Sequence, residues 1–445
     1  MTPFHSLMRP LPDFAAEPAQ VVAWIAERRG ALFLDSAAAC GRGRISVVAC
    51  EPEGELTGSL SDPGQLREWL AANQVANAPG MNYPAGGAFG HVTYEGDFRF
   101  GLHRNLLIYR HDSRDWMEVG QAQHWLDGFK EDREDLGRGA LAFRAETGRD
   151  WFEASVRRAQ EYIAAGDIYQ VNLAQRFVAE WPRKARPWDF YRVLRRVSPA
   201  PYAALLNWDG GALLSSSPEL FLRFSGPSVE THPIKGTRPR FADPREDVRA
   251  AEELIHSEKE RAELLMITDL ERNDLGQFCE FGSVEVRELA KLERFEQVHH
   301  LVSVVRGRMR REFDPLEAFR LAFPGGSITG APKKRAMEII RELEGIPRGA
   351  YTGAIGYFGL NGESQFNIAI RTLELSGSRL EFRCGAGIVA DSVPAAEYEE
   401  TLHKAAGIFR AAEIWERTEE RFALPGDSPR IAGSDGVRAT VLRCV

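Results

Sequence analysis

Three strand-like runs at residues 212–216, 220–224 and 228–232 follow one another with only Ser, Pro, Glu and Gly turn residues between them, and the last leads straight into PIKGTRP at 233–239. Connections that short join antiparallel neighbours, because a parallel pair needs a crossover of a dozen residues or more. A second meander follows later: a run at 351–360, the hairpin signal Asn361-Gly362, a run at 365–375, a Ser-Gly-Ser turn and a run at 379–384. Shorter strand-like pieces at 31–34, 45–50 and 106–109 lie among Gly/Pro turns near the start. Helical patterns separate these groups. Phe152, Val156, Ala159 and Ile163 form one stripe that stops at Gly166-Asp167 before a strand at 168–177, a long charged helix is expected over 243–270, and a last helix over 394–415. Hairpin groups with helices between them, and no regular βαβ alternation, predict an α+β fold with a large, mainly antiparallel β-sandwich core flanked by helices. The charged run at 130–138 marks an expected boundary, which gives a first domain at 1–145, a main domain at 146–415 and a loose tail at 416–445.

Composition narrows the class of ligand. A chain of 445 residues with 44% hydrophobic content can bury a large core, and its net charge of -8 argues against nucleic acid or an anionic membrane as partner. A small molecule is the expected ligand. The five cysteines, Cys40, Cys50, Cys279, Cys384 and Cys444, form no CxxC pair, and their odd number suits a reducing compartment. The start MTPFHSLMRPLPDF has no basic region followed by an apolar run, and no stretch reaches the ~18 apolar residues of a membrane span, so a cytoplasmic protein is expected.

Several residues carry chemistry. Lys235 ends a strand inside a Gly/Pro turn. Such a lysine is ordinarily a solvated ammonium with a reference pKa of ~10.4, and becomes a nucleophile where burial or a nearby cation favours the amine. Glu219 lies 16 residues earlier and is brought toward Lys235 by a hairpin, forming an acid/amine couple or, in the plainer reading, an exposed turn glutamate. Glu260 and Glu263, and Glu397 and Glu400, are spaced three apart on predicted helices, so each pair shares a face. Four such carboxylates would suit Mg²⁺ rather than zinc, and equally describe two solvated faces. The Gly-rich loop 324–332 opens a helix with Pro332 in its first turn, an anion site that would offer the Thr329 hydroxyl. Arg371 stands amid strand hydrophobics and needs a partner, either a ligand carboxylate or a core carboxylate. Gly385-Ala386-Gly387 is expected to be a turn offering backbone donors, and His300 is either a core histidine or a reacting group.

The segments GDIYQVNLAQRF, SSSPELFLR, PIKGTRPR, EKERAELLMITDLERNDLG, VHHLVS, PGGSITGAPKKRAMEII, GAIGY, FNIAIRT and GAGIVADS with EYEET, in this order, closely resemble the chorismate-utilising enzymes. The likeness covers nearly the whole chain and is strongest from about 150 to 410. It implies the fold of anthranilate and aminodeoxychorismate synthases. Water-adding members carry a lysine base where this chain has Gln170, whereas nitrogen-adding members have glutamine there, so ammonia is the expected incoming group. Anthranilate synthases read Pro-Ile-Ala-Gly-Thr at the turn; the lysine form Pro233-Ile234-Lys235-Gly236-Thr237 is that of the aminodeoxychorismate synthase component I branch, which supplies 4-aminobenzoate for folate.

The resemblance also implies roles. Lys235 would attack C2 of chorismate while Glu219 protonates the departing C4 hydroxyl, with His300 close to the reacting face. Mg²⁺ would be held directly by Glu263 and Glu400, and through water by Glu260 and Glu397. Gln170, Thr329, Tyr351, Arg371, Gly385, Gly387 and Lys404 would line the substrate pocket, Arg371 and Tyr351 taking the enolpyruvyl carboxylate. No cysteine lies in a Gly-x-Cys-x-Gly turn, so ammonia is expected from a separate glutamine amidotransferase subunit, and the tail is too short for a fused lyase. Relatives build a tryptophan site from Leu-Leu-Glu-Ser and Asn-Pro-x-Pro-Tyr segments. Here these read Phe33-Leu34-Asp35-Ser36 and Ser198-Pro199-Ala200-Pro201-Tyr202, which leaves two readings: core packing, or a structural tryptophan held by Ser36, Pro201 and Tyr202. Feedback inhibition is not expected there. The competing functions are anthranilate synthase, and a non-catalytic subunit that senses tryptophan or chorismate.

Overall fold

The hairpins accumulate into two antiparallel sheets in the computed structural model, which describes residues 8–37, 44–77, 81–130, 139–295 and 298–417. Cys40, Cys444, the run 131–138 and all of the expected tail beyond Arg417 lie outside the described residues. The first sheet runs from Met8–Pro10 through Leu32–Asp35, Ala203–Trp208, Gly211–Ser215 and Thr372–Ser376 to the long pair Arg379–Ile388 and Gln170–Glu180. The second begins with Ile234–Pro239 and Val298–Arg308, continues through Ser228–His232, Leu220–Ser225, Ser364–Ile368 and Ala354–Gly359, and ends with Gly87–Val92, Asp97–His103 and Gly54–Ser59. Strands from either side of residue 145 pair in both sheets: Leu32–Asp35 with Ala203–Trp208, and Gly87–Val92 with Ala354–Gly359.

Phe89, Ile355 and Tyr357 of the second sheet join the apolar cluster on the first, so the sheets pack face to face. Trp181, Phe190 and Trp415 close that cluster beneath the helices Pro187–Val197 and Pro394–Arg417. On the other side of the second sheet, Phe319, Phe358 and Phe366 form a contiguous aromatic group under the helix Pro315–Ala322. The α+β sandwich expected from the strand pattern is therefore present. No helix among the described residues is long and apolar enough to cross a membrane.

Four local expectations are corrected. The charged helix over 243–270 is two helices, Pro244–His256 and Glu258–Gly276, broken at Ser257, whose extended backbone (ψ 106°) and hydroxyl cap the second by accepting from Glu260 N. The run 365–375 is two strands in different sheets, Ser364–Ile368 and Thr372–Ser376. The chain crosses between sheets at 369–371, so Arg371 sits at the crossing, with φ 50°, and not in mid-strand. Gly385 and Gly387 lie inside the strand Arg379–Ile388 and not in a turn, because their missing side chains are needed for close approach across the strand pair. Pro332 stands just before the helix Lys333–Glu344, outside its first turn.

Candidate active site

Lys235 is aimed by a bulge. Along the Ile234–Pro239 and Val298–Arg308 pair, Lys235 opposes Leu301 while Thr237 opposes His300, so the register slips at Gly236. Gly236 has φ 75°, and a Cβ there would lie 2.7 Å from Leu254 Cδ1 and 3.2 Å from Glu260. Only glycine suits that position. The bulged strand sends the lysine across to the opposite sheet, where a Cβ on Gly387 would lie 3.4 Å from Lys235 Nζ and 3.1 Å from Gln170 Nε2.

Glu219 faces the same space. The pairing of Leu220 with His232 folds its strand back beside the lysine strand, and the carboxyl is buried. Burial pushes its pKa up to about 7, against the opposing pull of Ser327, Lys235, the Ile234 amide and Lys404. It is a carboxylic acid that keeps its proton close to neutral pH, next to an amine. His300 Nδ1 lies 3.1 Å from Gly236 O and 3.0 Å from Thr237 Oγ1. A carbonyl only accepts, so Nδ1 carries the proton and the buried Nε2 is a bare acceptor without a partner. Burial, with Arg371 nearby, pushes this ring down to about 3, so the imidazole is neutral.

The floor is the Gln170–Glu180 and Arg379–Ile388 pair, in which Asn172 opposes Gly387 and Ala174 opposes Gly385. A Cβ on Gly385 would lie 2.7 Å from Asn172 Oδ1 and 2.9 Å from Tyr351 OH, so the glycine opens the space into which both point. Ser327 Oγ turns toward Glu219, and both amide atoms of Gln170, Asn172 Oδ1 and His300 Nε2 are buried without a hydrogen-bond partner. Buried polar atoms are seldom left so, and a cluster of them marks the place where a polar ligand completes the bonding. Arg371 adds a half-buried guanidinium with no ion pair among the described residues, its pKa lowered by desolvation although Cys384 and Glu219 oppose the shift. The core ion pair that was one reading of this residue is absent among the described residues. Lys404 donates to Gly385 O at 3.0 Å and pairs with Glu400 at 2.7 Å.

Thr329 corrects an expectation. Its hydroxyl donates to Gly325 O at 3.0 Å, so it offers lone pairs to the pocket and not a proton. The same loop is tied to the helix Glu258–Gly276 by Gly326 N donating to Glu271 Oε1 at 3.1 Å. Ser327 and Asn172 were missed from the sequence. Asn172 was open to discovery, since two residues beyond Gln170 on a strand it must share that residue's face.

The four glutamates lie on the facing helices Glu258–Gly276 and Pro394–Arg417, joined by Lys259 Nζ at 3.8 Å from both Glu263 and Glu397. Glu260 pairs with Arg238 at 3.5 Å. Burial, with Glu260 and Glu400 adding, raises Glu263 against Lys235 and Lys259, and burial likewise raises Glu397. Burial also pushes Glu400 up, but the lysines around it, Lys404 foremost, outweigh this and leave it low. Among the described residues no three His, Cys, Asp or Glu side chains are gathered as a ready metal cage. The donor set is all carboxylate, the type a hard cation takes, and its charge is met here by Lys259, Lys404, Lys235 and Arg238.

Ser36, Pro201 and Tyr202 do come together, at a second cleft between the sheets that also involves Leu34, Asp35 and Tyr357. The space they enclose is about 20 Å³, room for one water, and Ser36, Ile45, Tyr357 and Gln365 also border an adjoining, mostly polar cavity of about 280 Å³.

The model of the family described as chorismate binding enzyme matches residues 54–410, most of the chain and all of this constellation. The chain belongs to the chorismate binding enzyme family. It is 50% identical over 261 residues to anthranilate synthase component 1 of Streptomyces coelicolor, covering 58% of this chain and 51% of the relative. It is 46% identical over 277 residues to aminodeoxychorismate synthase component 1 of Bacillus subtilis, covering 62% and 58%. The chain thus spans little more than half the length of these relatives. Anthranilate synthase component I from Streptococcus pneumoniae superposes with a TM-score of 0.73 at 31% identity, covering 81% of this chain and 91% of that one. The menaquinone-specific isochorismate synthase of Escherichia coli shares the fold, with a TM-score of 0.74 at 19% identity over 91% and 94%.

Proposed function

We propose that this chorismate binding enzyme aminates chorismate to 4-amino-4-deoxychorismate, the precursor of 4-aminobenzoate and folate. The observation that carries the reading is Lys235 Nζ over the Gly387 floor beside Gln170, with the proton-bearing Glu219 facing it. The Lys235 amine forms a bond to C2, the ring double bonds shift, and the C4–O bond breaks as Glu219 gives its proton to the leaving hydroxyl, which departs as water. The adduct nitrogen sheds one proton. Ammonia then bonds to C4, the double bonds shift back, and the C2–N pair returns to the lysine nitrogen, which takes back the proton it shed. The proton surrendered by ammonia restores the acid, so the net exchange is hydroxyl for amine.

Gln170 in place of a charged base supports ammonia over water as the incoming group, and Arg371 with Tyr351 suits the enolpyruvyl carboxylate. Mg²⁺ held by Glu263 and Glu400, with Glu260 and Glu397 through water, would bind the ring carboxylate and draw charge out of the ring. Ammonia is supplied by a separate glutamine-hydrolysing subunit in this reading. The similar identity to anthranilate synthases favours a second reading, amination at C2 with loss of pyruvate.

Purified chain with chorismate, Mg²⁺ and ammonium at mildly alkaline pH separates the two. A product that keeps its enolpyruvyl group and gives 4-aminobenzoate only with an added lyase supports the first; anthranilate formed without the lyase establishes the second.

A further inference from the structure

Along the edge of the floor strand Gln170–Glu180, between its pairings with Gly330–Ala331 and Arg144–Ala145, lies an arginine that the proposed reaction does not use. Arg348 sits in EGIPRGAY just after the helix Lys333–Glu344, where an arginine would ordinarily be solvated, yet its side chain is 1% exposed. All of its N–H groups are engaged: Nε donates to Glu344 Oε2 at 3.0 Å, Nη2 to Glu344 Oε1 at 2.6 Å and Asn172 O at 2.8 Å, and Nη1 to Ile328 O at 3.1 Å and Thr352 Oγ1 at 3.2 Å. The guanidinium also lies 4.8 Å from the Tyr94 ring centroid and 5.6 Å from that of Tyr351. Glu344 is fixed in turn by the Ala174 amide at 3.1 Å and by Arg383 at 3.5 Å.

A buried ion pair is by itself weak evidence of stabilisation, because desolvation offsets the attraction. The acceptors are what distinguish this one. Ile328 immediately precedes Thr329; Asn172 belongs to the floor and carries an unpartnered Oδ1; Thr352 follows Tyr351. Thr352 also holds a left-handed φ of 60°, costly for a β-branched residue and maintained only by its surroundings. One planar cation therefore ties together the floor strand, the Gly-rich loop and the turn carrying Tyr351.

We propose that Arg348 is a positioning residue for the chorismate site: clamped by Glu344, it sets Ile328, Asn172 and Thr352 so that Thr329, the floor amides and Tyr351 face the substrate together. This rests on the chorismate reading above. Lysine cannot take the place of arginine here, since a point charge with three donors cannot reproduce the fork.

The test compares Arg348→Lys, Tyr94→Leu and Arg383→Lys with the wild type. Tyr94→Leu removes a ring under the guanidinium and leaves the pocket side chains in place; Arg383→Lys loosens the same Glu344 and the Pro347 carbonyl but leaves every Arg348 hydrogen bond available. Readouts are the dissociation constant of chorismate by calorimetry without ammonia, KM for chorismate and for ammonia separately, and Tm. For Arg348→Lys we expect the chorismate constants to rise about 10²-fold with KM for ammonia unchanged. Tyr94→Leu shifts them in the same direction by less, and Arg383→Lys, which spares the Arg348 fork, shifts them least for its loss of Tm. Wild-type chorismate constants in a folded Arg348→Lys overturn the proposal. If that variant does not fold, wild-type constants in Tyr94→Leu overturn it instead. Failure of the wild-type chain itself to bind chorismate defeats the functional reading and this inference with it, and is recognised because it occurs before any substitution.

Discussion

Two clefts lie between the same pair of sheets, and they differ in what their polar atoms do. At the Ser36 cleft the groups answer one another: Arg195 grips Asp35 at 2.7 and 3.2 Å, Ser36 donates to Ile45 O at 2.8 Å, and about 20 Å³ remains among Ser36, Pro201 and Tyr202. At the Lys235 cleft, Gln170, Asn172 and His300 each keep a buried polar atom without a partner. The first is finished as a piece of core, whereas the second is completed only by a guest. Position between the sheets does not distinguish them; hydrogen-bond satisfaction does.

Substitutions can break or sharpen that contrast. The largest effect is expected from Lys235→Ala, which should lower the amination rate about 10⁴-fold or more with the fold intact. Unchanged turnover, measured by product mass, would remove the covalent step. Glu219→Gln comes next, with a loss of about 10²- to 10⁴-fold. Glu219 works as the protonated acid and is raised to about 7, so the wild-type rate should fall as pH rises through about 7 at constant free ammonia, and the variant should lack that limb. Lys235, Lys404, Ser327 and the Ile234 amide oppose the rise, and Glu271 lies behind it. A limb that survives in the variant assigns it to another group.

Gly387→Ala places a methyl 3.1 Å from Gln170 Nε2 and 3.4 Å from Lys235 Nζ, so KM for chorismate should rise about 10-fold or more while Tm barely moves. At the other cleft, Asp35→Asn should cost about 2 kcal/mol in denaturant titration by weakening the Arg195 pair, with no change in KM. Coupled changes in KM would show that the clefts communicate. The smallest expected effect is that of added tryptophan, which should alter neither rate nor Tm, because Arg195 already holds Asp35 and the cavity of about 280 Å³ beside Ser36 is lined mostly by charged and polar side chains.

How far the sequence could be read depended on whether a residue's signal was local. Turn chemistry around PIKGTRP announced the hairpin that carries Glu219 to Lys235, and the absence of βαβ alternation announced the antiparallel sheets. Gly385 and Gly387 were misread because paired glycines signal turns, whereas here glycine is required by atoms contributed from Gln170, Asn172 and Tyr351, none of them neighbours in sequence. Arg371 drew notice as a charge among hydrophobics, but nothing nearby in the chain reports that it stands where one run leaves the second sheet for the first. Arg348 carried no signal, since its burial is created by three elements that only the fold assembles.

The pairing of early with late strands also bears on how the chain must be made. Leu32–Asp35 waits for Ala203–Trp208, and Gly87–Val92 waits for Ala354–Gly359, which emerges from the ribosome more than two hundred residues later. Contacts so distant are slow to form, and until they form the waiting strands present open, apolar edges. Overproduction at high translation rates should therefore yield aggregates built from incomplete chains, while slower synthesis or chaperone capacity should raise the yield of native protein.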